Sequence, residues 1–203
     1  MTELERMLRR ADGDDDAAAA AAARRFAAVA GDAGLVDVAY GTVGSPLGDL
    51  TVAVTRRGLV RVAYPDRDID GVLGELARLV SPRVLEAPAR LDDVRRQLED
   101  YFAGRRRVFE LPIDWSLEHG FTARVLRATA RIPLGEVASY RDVAAAAGNE
   151  RAVRAAGNAL GSNHIPIVVP CHRVVRTGGA LGGYTGGLDR KEFLLRLEGW
   201  MDG

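Results

Sequence analysis

Three short β-branched runs, Val36–Val43, Asp49–Val54 and Leu59–Tyr64, succeed one another with little but turn residues between them. Gly44 to Gly48 and Arg56 to Gly58 are short connections rich in Gly and Pro or bounded by Gly, and strands joined that closely can pair only antiparallel. The first third of the chain is therefore expected to form a three-stranded antiparallel meander. Beyond it the period of the apolar residues lengthens. Ile69 to Val80 reads as a helix. Leu91, Val94, Leu98, Tyr101 and Phe102 repeat at helical spacing up to Gly104. Leu111 to Trp115 reads as a linker. After it the chain is mostly helical: an amphipathic stretch from Thr122 to Ile132, a short helix capped by Ser139 and closed by Gly148-Asn149, and another from about Arg151 to Leu160. Two short helices joined by a tight glycine-containing turn make a helix-turn-helix. Asp189 and Glu192 have the spacing of a capping box for a last helix. The expected class is α+β. Residues 1–35 would be a helical or frayed extension, 36–113 an α/β domain carrying the meander, and 114–203 a mostly helical domain carrying the helix-turn-helix.

The extension differs in composition from the rest. An acidic cluster, Asp12 to Asp16, precedes seven alanines, Ala17 to Ala23. Alanine has the highest helix propensity, and carboxylates suit a helix N-terminus. The whole chain of 203 residues has a formal net charge of zero, so its overall balance implies no strongly charged partner. Charge is unevenly spread, however: residues 119–196 hold 11 basic and 5 acidic side chains, enough to attract a polyanion locally. Arginine supplies 27 of the basic residues and lysine only one, Lys191. No stretch is long and apolar enough to span a bilayer, and no signal-peptide core is present. A single cysteine excludes an internal disulfide framework and a multi-cysteine zinc site. An unpaired thiol also fits a reducing compartment, so a cytoplasmic location is expected, with no metal and no cofactor.

That one cysteine is Cys171, within the run Ile165 to Val175. An apolar segment read as a buried strand ends at Pro170, and the thiol is followed by His172 and Arg173. Free cysteine is often simply a small buried hydrophobe. Here the thiol stands at a strand end beside a histidine, where sites are commonly built and where a base could generate the thiolate. Consecutive residues of an extended strand point to opposite faces, so Cys171 and His172 could not touch unless the chain turns between them.

The Pro-Cys-His-Arg segment, the helix-turn-helix before it, and Gly182 to Gly187 followed by Lys191 to Leu195 and Glu198-Gly199 occur in one order. In that order the chain resembles the O6-alkylguanine-DNA alkyltransferases, over roughly Val36 to Trp200 and most strongly from Phe121 onward. The resemblance implies irreversible transfer of an alkyl group from the oxygen-6 of guanine in DNA, with oxygen-4 of thymine as a second target, to Cys171. A saturated carbon calls for a soft nucleophile, and a thiolate is the best side chain for it. His172 would draw the thiol proton through a water and Glu198 would orient the imidazole. Asn163 would tie the helix-turn-helix to the active-site strand. The target base must leave the stack to reach a buried thiol. Arg154 matches the residue that fills the gap, with Ala152, Ala155 and Gly157 allowing close approach to the groove. Tyr140 matches the tyrosine at the target phosphate and flipped base. Val174, Tyr184 and Thr185 match positions that wall the guanine pocket. The implied partner is double-stranded DNA, held through its minor groove by a protein monomeric in solution and able to bind cooperatively along the duplex. The chain departs from the family in two places: Thr185 stands where serine is frequent, and His164 follows Asn163 where proline is common.

Two other readings compete. A lesion sensor would flip the base and recruit other factors without needing a thiol. A cysteine hydrolase or peroxidase would use Cys171, His172 and Glu198 but would leave Arg154, Tyr140 and the helix-turn-helix unexplained.

Overall fold

A computed structural model describes residues 18–19, 21–23, 25, 27, 29–31 and 33–201. The acidic cluster Asp12 to Asp16 lies outside them. Every described residue from 18 to 31 is helical, as the alanine run predicts, and Ala27 and Ala30 are buried in the main core.

The three expected strands are present as β1 (Val38–Val43), β2 (Leu50–Thr55) and β3 (Gly58–Ala63), paired antiparallel in sequence order. A fourth strand, β4 (Val84–Glu86), corrects the three-stranded expectation by adding to the free edge of β1 in parallel, giving the order β3-β2-β1-β4. It has only three residues, none fully buried, and lies between Pro82 and Pro88, so no alternation of apolar and polar residues reveals it.

Both faces of the sheet are covered. Helix α1 (Ile69–Leu79) lays Val72 and Leu76 on Val38, Ala53 and Val60. The opposite face, with Ala39, Val52, Leu59 and Val62, packs on Leu91, Val94, Leu98 and Tyr101 from and just before helix α2 (Asp92–Phe102). That core continues without a break into the second half through Val125, Leu126, Val143, Ala156 and Leu160.

The second half contains α3 (Gly120–Thr129), α4 (Tyr140–Ala146), α5 (Val153–Gly161) and α6 (Leu188–Leu197), with a two-stranded parallel pair, β5 (Ala138–Ser139) on β6 (Val174–Val175). Ser139 caps α4 as expected, and Asp142 completes a capping box. Helices α4 and α5 form the helix-turn-helix, and Gly148 at φ +90° makes the turn. The capping box expected at Asp189 and Glu192 is absent. The chain turns one residue before the helix, at Gly187 with φ +89°, so α6 begins at Leu188 and Asp189 already lies inside its first turn. There it can still oppose the positive end of the helix dipole.

The segment between the halves is stitched to the first sheet. Leu59 N donates to Pro112 O at 2.8 Å and accepts at its own carbonyl from Asp114 N at 2.9 Å. The Asp114 carboxylate then receives Thr55 Oγ1, Arg57 Nε and Ser116 N. Gly58 makes this approach possible: its φ is +131°, and a Cβ there would lie 2.0 Å from Pro112 O, a backbone atom. Gly58→Ala is expected to destabilise the protein by about 3 kcal/mol, combining left-handed strain with a backbone clash. Urea unfolding of the two proteins side by side would measure the difference.

Candidate functional site

The segment expected to lead into Cys171 as a strand is a buried series of turns. Pro166 and Pro170 lack the N–H groups a ladder would need, and the backbone bonds to itself instead, from Val169 N to Ile165 O and from Cys171 N to Val169 O, both at 2.8 Å. Ile167 sits within it at φ +74°, a conformation a β-branched residue adopts only when its surroundings impose it. Cys171–Arg173 then forms a single 3₁₀ turn before β6. The thiol and the imidazole still diverge, because successive residues of such a turn are about 120° apart.

Asn163 holds both the thiol and the backbone beside it. Asn163 Nδ2 donates to Cys171 Sγ at 3.0 Å and to Val169 O at 2.8 Å, while Asn163 Oδ1 accepts from Ile165 N. One carboxamide therefore links the end of the helix-turn-helix to the thiol and to the turns that present it. Burial pushes the Cys171 thiol up; the Asn163 bond, the charge of Lys191, the backbone N–H and the Tyr184 hydroxyl pull the other way without cancelling it. At rest the sulfur is a thiol.

His172 is fully buried, with Nε2 2.9 Å from Glu198 Oε1. Burial lowers its proton affinity more than Glu198 raises it, so the ring is neutral. Glu198 stays ionised: hydrogen bonds and charge from His172 and Arg173 outweigh its burial and bring its pKa to about 2. Facing a carboxylate, Nε2 carries the ring proton, which leaves the lone pair on Nδ1. That nitrogen is buried and bonded to no protein atom. A neutral imidazole with its basic nitrogen unengaged, next in sequence to a neutral thiol, is poised to take a proton rather than already holding one.

Sequence reasoning did not find the rest of this cluster. Glu198 Oε1 also accepts from Tyr101 Oη at 2.6 Å and Arg173 Nη2 at 2.8 Å, and Oε2 accepts from Arg173 Nε at 2.8 Å. Arg173 was in plain view in the motif, but Tyr101 looked like one more apolar position on α2. Lys191, the only lysine among 28 basic residues, is fully buried; its ammonium donates to the carbonyls of Val174 and Leu181. Burial lowers its pKa to about 8, so it is still mostly charged at neutral pH and favours a thiolate at Cys171. Its rarity was the signal that could have singled it out.

A cavity of about 300 Å³, within the size range of small-ligand sites, opens onto the thiol. Tyr140, Gly157, Leu160, Tyr184 and Thr185 line it with Cys171. Tyr140 Oη donates to Gly183 O at 3.1 Å, and Thr185 Oγ1 donates to Gly161 O at 3.0 Å, fastening the glycine-rich loop to α4 and α5. Tyr184 shares a 2.6 Å hydroxyl–hydroxyl bond with Tyr64, and burial keeps its own hydroxyl protonated. Val174 does not line this cavity. It is fully buried in β6, and its carbonyl is the part in use, receiving Lys191. Arg154 is exposed on α5, with Ala155 exposed beside it and Ala152 half-buried just before the helix.

The chain matches two family models over most of its length. The 6-O-methylguanine DNA methyltransferase ribonuclease-like domain covers residues 38–115, and the DNA binding domain of the same enzyme covers residues 120–200. The constitutive methylated-DNA–protein-cysteine methyltransferase of Bacillus subtilis is 38% identical over 162 residues, 78% of this chain and 94% of that protein. The chain belongs to the methylated-DNA–protein-cysteine methyltransferase family. The human methyltransferase is 37% identical over 166 residues, covering 78% of this chain and 79% of its own. Among solved structures, the Mycobacterium tuberculosis enzyme in complex with DNA superposes with a TM-score of 0.67 at 36% identity, covering 79% of this chain and 92% of that one. This family member thus has its thiol, its imidazole and its carboxylate within one buried cluster beside an open cavity.

Glu198 links the cluster to stability. Its carboxyl is depressed in the folded state, so its contribution is complete above the unfolded carboxyl pKa and is lost as the pH falls through about 4 towards 2. The shift corresponds to about 3 kcal/mol. Glu198→Gln should flatten the loss of stability over that window, and urea unfolding at a series of pH values would reveal it.

Proposed function

We infer that the protein repairs alkylated DNA by moving an alkyl group from guanine oxygen-6 onto Cys171. The observation that carries this reading is a buried thiol, fixed by Asn163, on the wall of a cavity large enough for a small ligand, with a neutral imidazole whose partner is an ionised carboxylate. In the reaction the Cys171–alkyl sulfur–carbon bond forms as the carbon–oxygen-6 bond breaks. The thiol proton passes to His172 Nδ1, through a water; the departing guanine takes up one proton from solvent as the imidazolium gives its own back, so the base returns to its normal form with no co-reactant. The imidazolium is stabilised by Glu198 while it exists. The thioether product has no second cysteine in the chain to attack it, so one protein molecule serves one lesion. The same pocket would take the oxygen-4 of an alkylated thymine.

DNA is the partner, approached through the minor groove with α5 leading. Arg154, exposed and flanked by Ala152, Ala155 and Gly157, enters the duplex where the target base has swung out, and its charge and long stem suit that position. Tyr140, Tyr184 and Thr185 receive the base. Residues 36–113 brace this site and residues 114–203 carry it. The protein acts as a monomer in solution, with cooperative binding along the duplex, in the cytoplasm and on the nucleoid. No helix among the described residues is long and apolar enough to cross a membrane.

A duplex carrying radiolabelled methylguanine provides the test. Label should reach Cys171 and stop at one mole per mole of protein; label beyond that ratio, or on another residue, would be the wrong result for this reading. Cys171→Ala should keep lesion binding and lose transfer. Arg154→Ala should slow transfer from the duplex by roughly tenfold, a loss of about 1.4 kcal/mol of help with extrusion, and should affect a free alkylguanine base far less.

A further inference from the structure

His164 stands between Asn163 and Ile165, and the structure ties it to the first half of the chain. Its carbonyl accepts from Val62 N of β3 at 2.9 Å. Its Nδ1 lies 2.7 Å from Glu118 Oε1, and its Nε2 lies 3.6 Å from Glu75 Oε1 of α1. Glu75 Oε2 in turn meets Arg61 Nη1 of β3 at 2.9 Å. The Glu118 carboxylate is only 4% exposed and the Arg61 side chain 7%. Four segments therefore converge in one chain of charged and polar groups, Arg61–Glu75–His164–Glu118, beside the residue that holds the thiol.

We propose that His164 is a positioning residue for Cys171: held by Glu118 and by β3, it fixes the backbone from which Asn163 reaches the sulfur. This rests on Cys171 being the alkyl acceptor. The coupling is short. Residue 163 bonds the thiol, residue 164 bonds Val62 of the first half through its carbonyl and Glu118 through its side chain, and residue 165 bonds back to the Asn163 side chain. An error of even a few tenths of an ångström at residue 164 falls on a 3.0 Å N–H···S bond, and that bond heads the influences opposing the burial that raises the thiol. Among the described residues Glu118 makes no other side-chain hydrogen bond, so removing the imidazole also takes from a buried carboxylate its partner there. A proline at this position would restrain the backbone through its ring. His164 achieves the restraint with its side chain, and does so by enlisting the first half of the molecule.

Single-turnover transfer from a methylguanine duplex, followed across pH, tests the proposal. His164→Ala should slow transfer about tenfold at neutral pH, the worth of one well-made hydrogen bond, and should move the rising limb of the pH–rate profile to higher pH. The isosteric Glu118→Gln should do the same to a lesser degree and retains the packing if the alanine variant folds poorly. His164→Pro should restore the rate and the profile, because the ring replaces the restraint. A merely structural residue would alter thermal stability and leave the pH limb where it was. An unmoved rate and limb in both His164→Ala and Glu118→Gln would overturn the proposal. If the unmodified protein never labels Cys171, the acceptor reading falls, and this proposal falls with it. Normal labelling beside unaffected variants removes this proposal alone.

Discussion

The Glu198 carboxylate is the point on which the two halves of the molecule meet chemically. It comes from the end of α6 and takes hydrogen bonds from Tyr101 on α2, from His172 and from Nε and Nη2 of Arg173. A buried carboxylate is costly unless its lone pairs are used, and here three side chains use them. The carboxylate raises the proton affinity of both His172 and Tyr101. With Glu198 charged, His172 must place its proton on Nε2, and the imidazole is left with one basic nitrogen and no protein partner for it. Arg173 does two things at once. It neutralises Glu198, and it opposes a second positive charge on His172. Burial, with Arg173 adding to it, keeps the ring neutral until a proton is offered.

The site is built around a conflict over the thiol. Burial protects Cys171 from adventitious oxidation and alkylation but raises the cost of the thiolate that the chemistry requires. Asn163, Lys191, Tyr184 and the backbone N–H each reduce that cost without removing it. The consequence is a resting state with thiol and imidazole both neutral.

Much of this was legible in the sequence because its signals were local. β-branched runs separated by Gly and Pro marked β1 to β3, a serine able to cap a helix marked the start of α4, and the order of motifs around Cys171 pointed to the family. What escaped was set by tertiary contact. Strand β4 exists because the edge of β1 needs a partner, and its three residues carry no pattern of their own. The turns before Cys171 share their apolar composition with a buried strand, and only the prolines at 166 and 170 hint that ladder donors are missing. The family resemblance implies a pocket wall at Val174, whereas its side chain lies in the core. Tyr101 and Tyr64 were unreadable as site residues, since a tyrosine at an apolar position looks the same whether or not its hydroxyl has a partner across the molecule.

Those two tyrosines, together with Arg61 and Glu75, explain what the first half of the chain contributes. None of its residues lines the 300 Å³ cavity, yet it reaches the chemistry at three points: Tyr101 on the carboxylate, Tyr64 on the Tyr184 hydroxyl, and β3 with α1 on His164 beside Asn163. The first two act on groups beside the imidazole or the thiol, and the third acts on the residue next to the one that bonds the thiol. The four-stranded sheet, buried on both faces, backs these three contacts. The continuous core and the Leu59–Ile113 bridge keep that support in register, so displacement of the first half by even a fraction of an ångström would be felt at the sulfur as misaligned hydrogen bonds before it was felt as loss of fold.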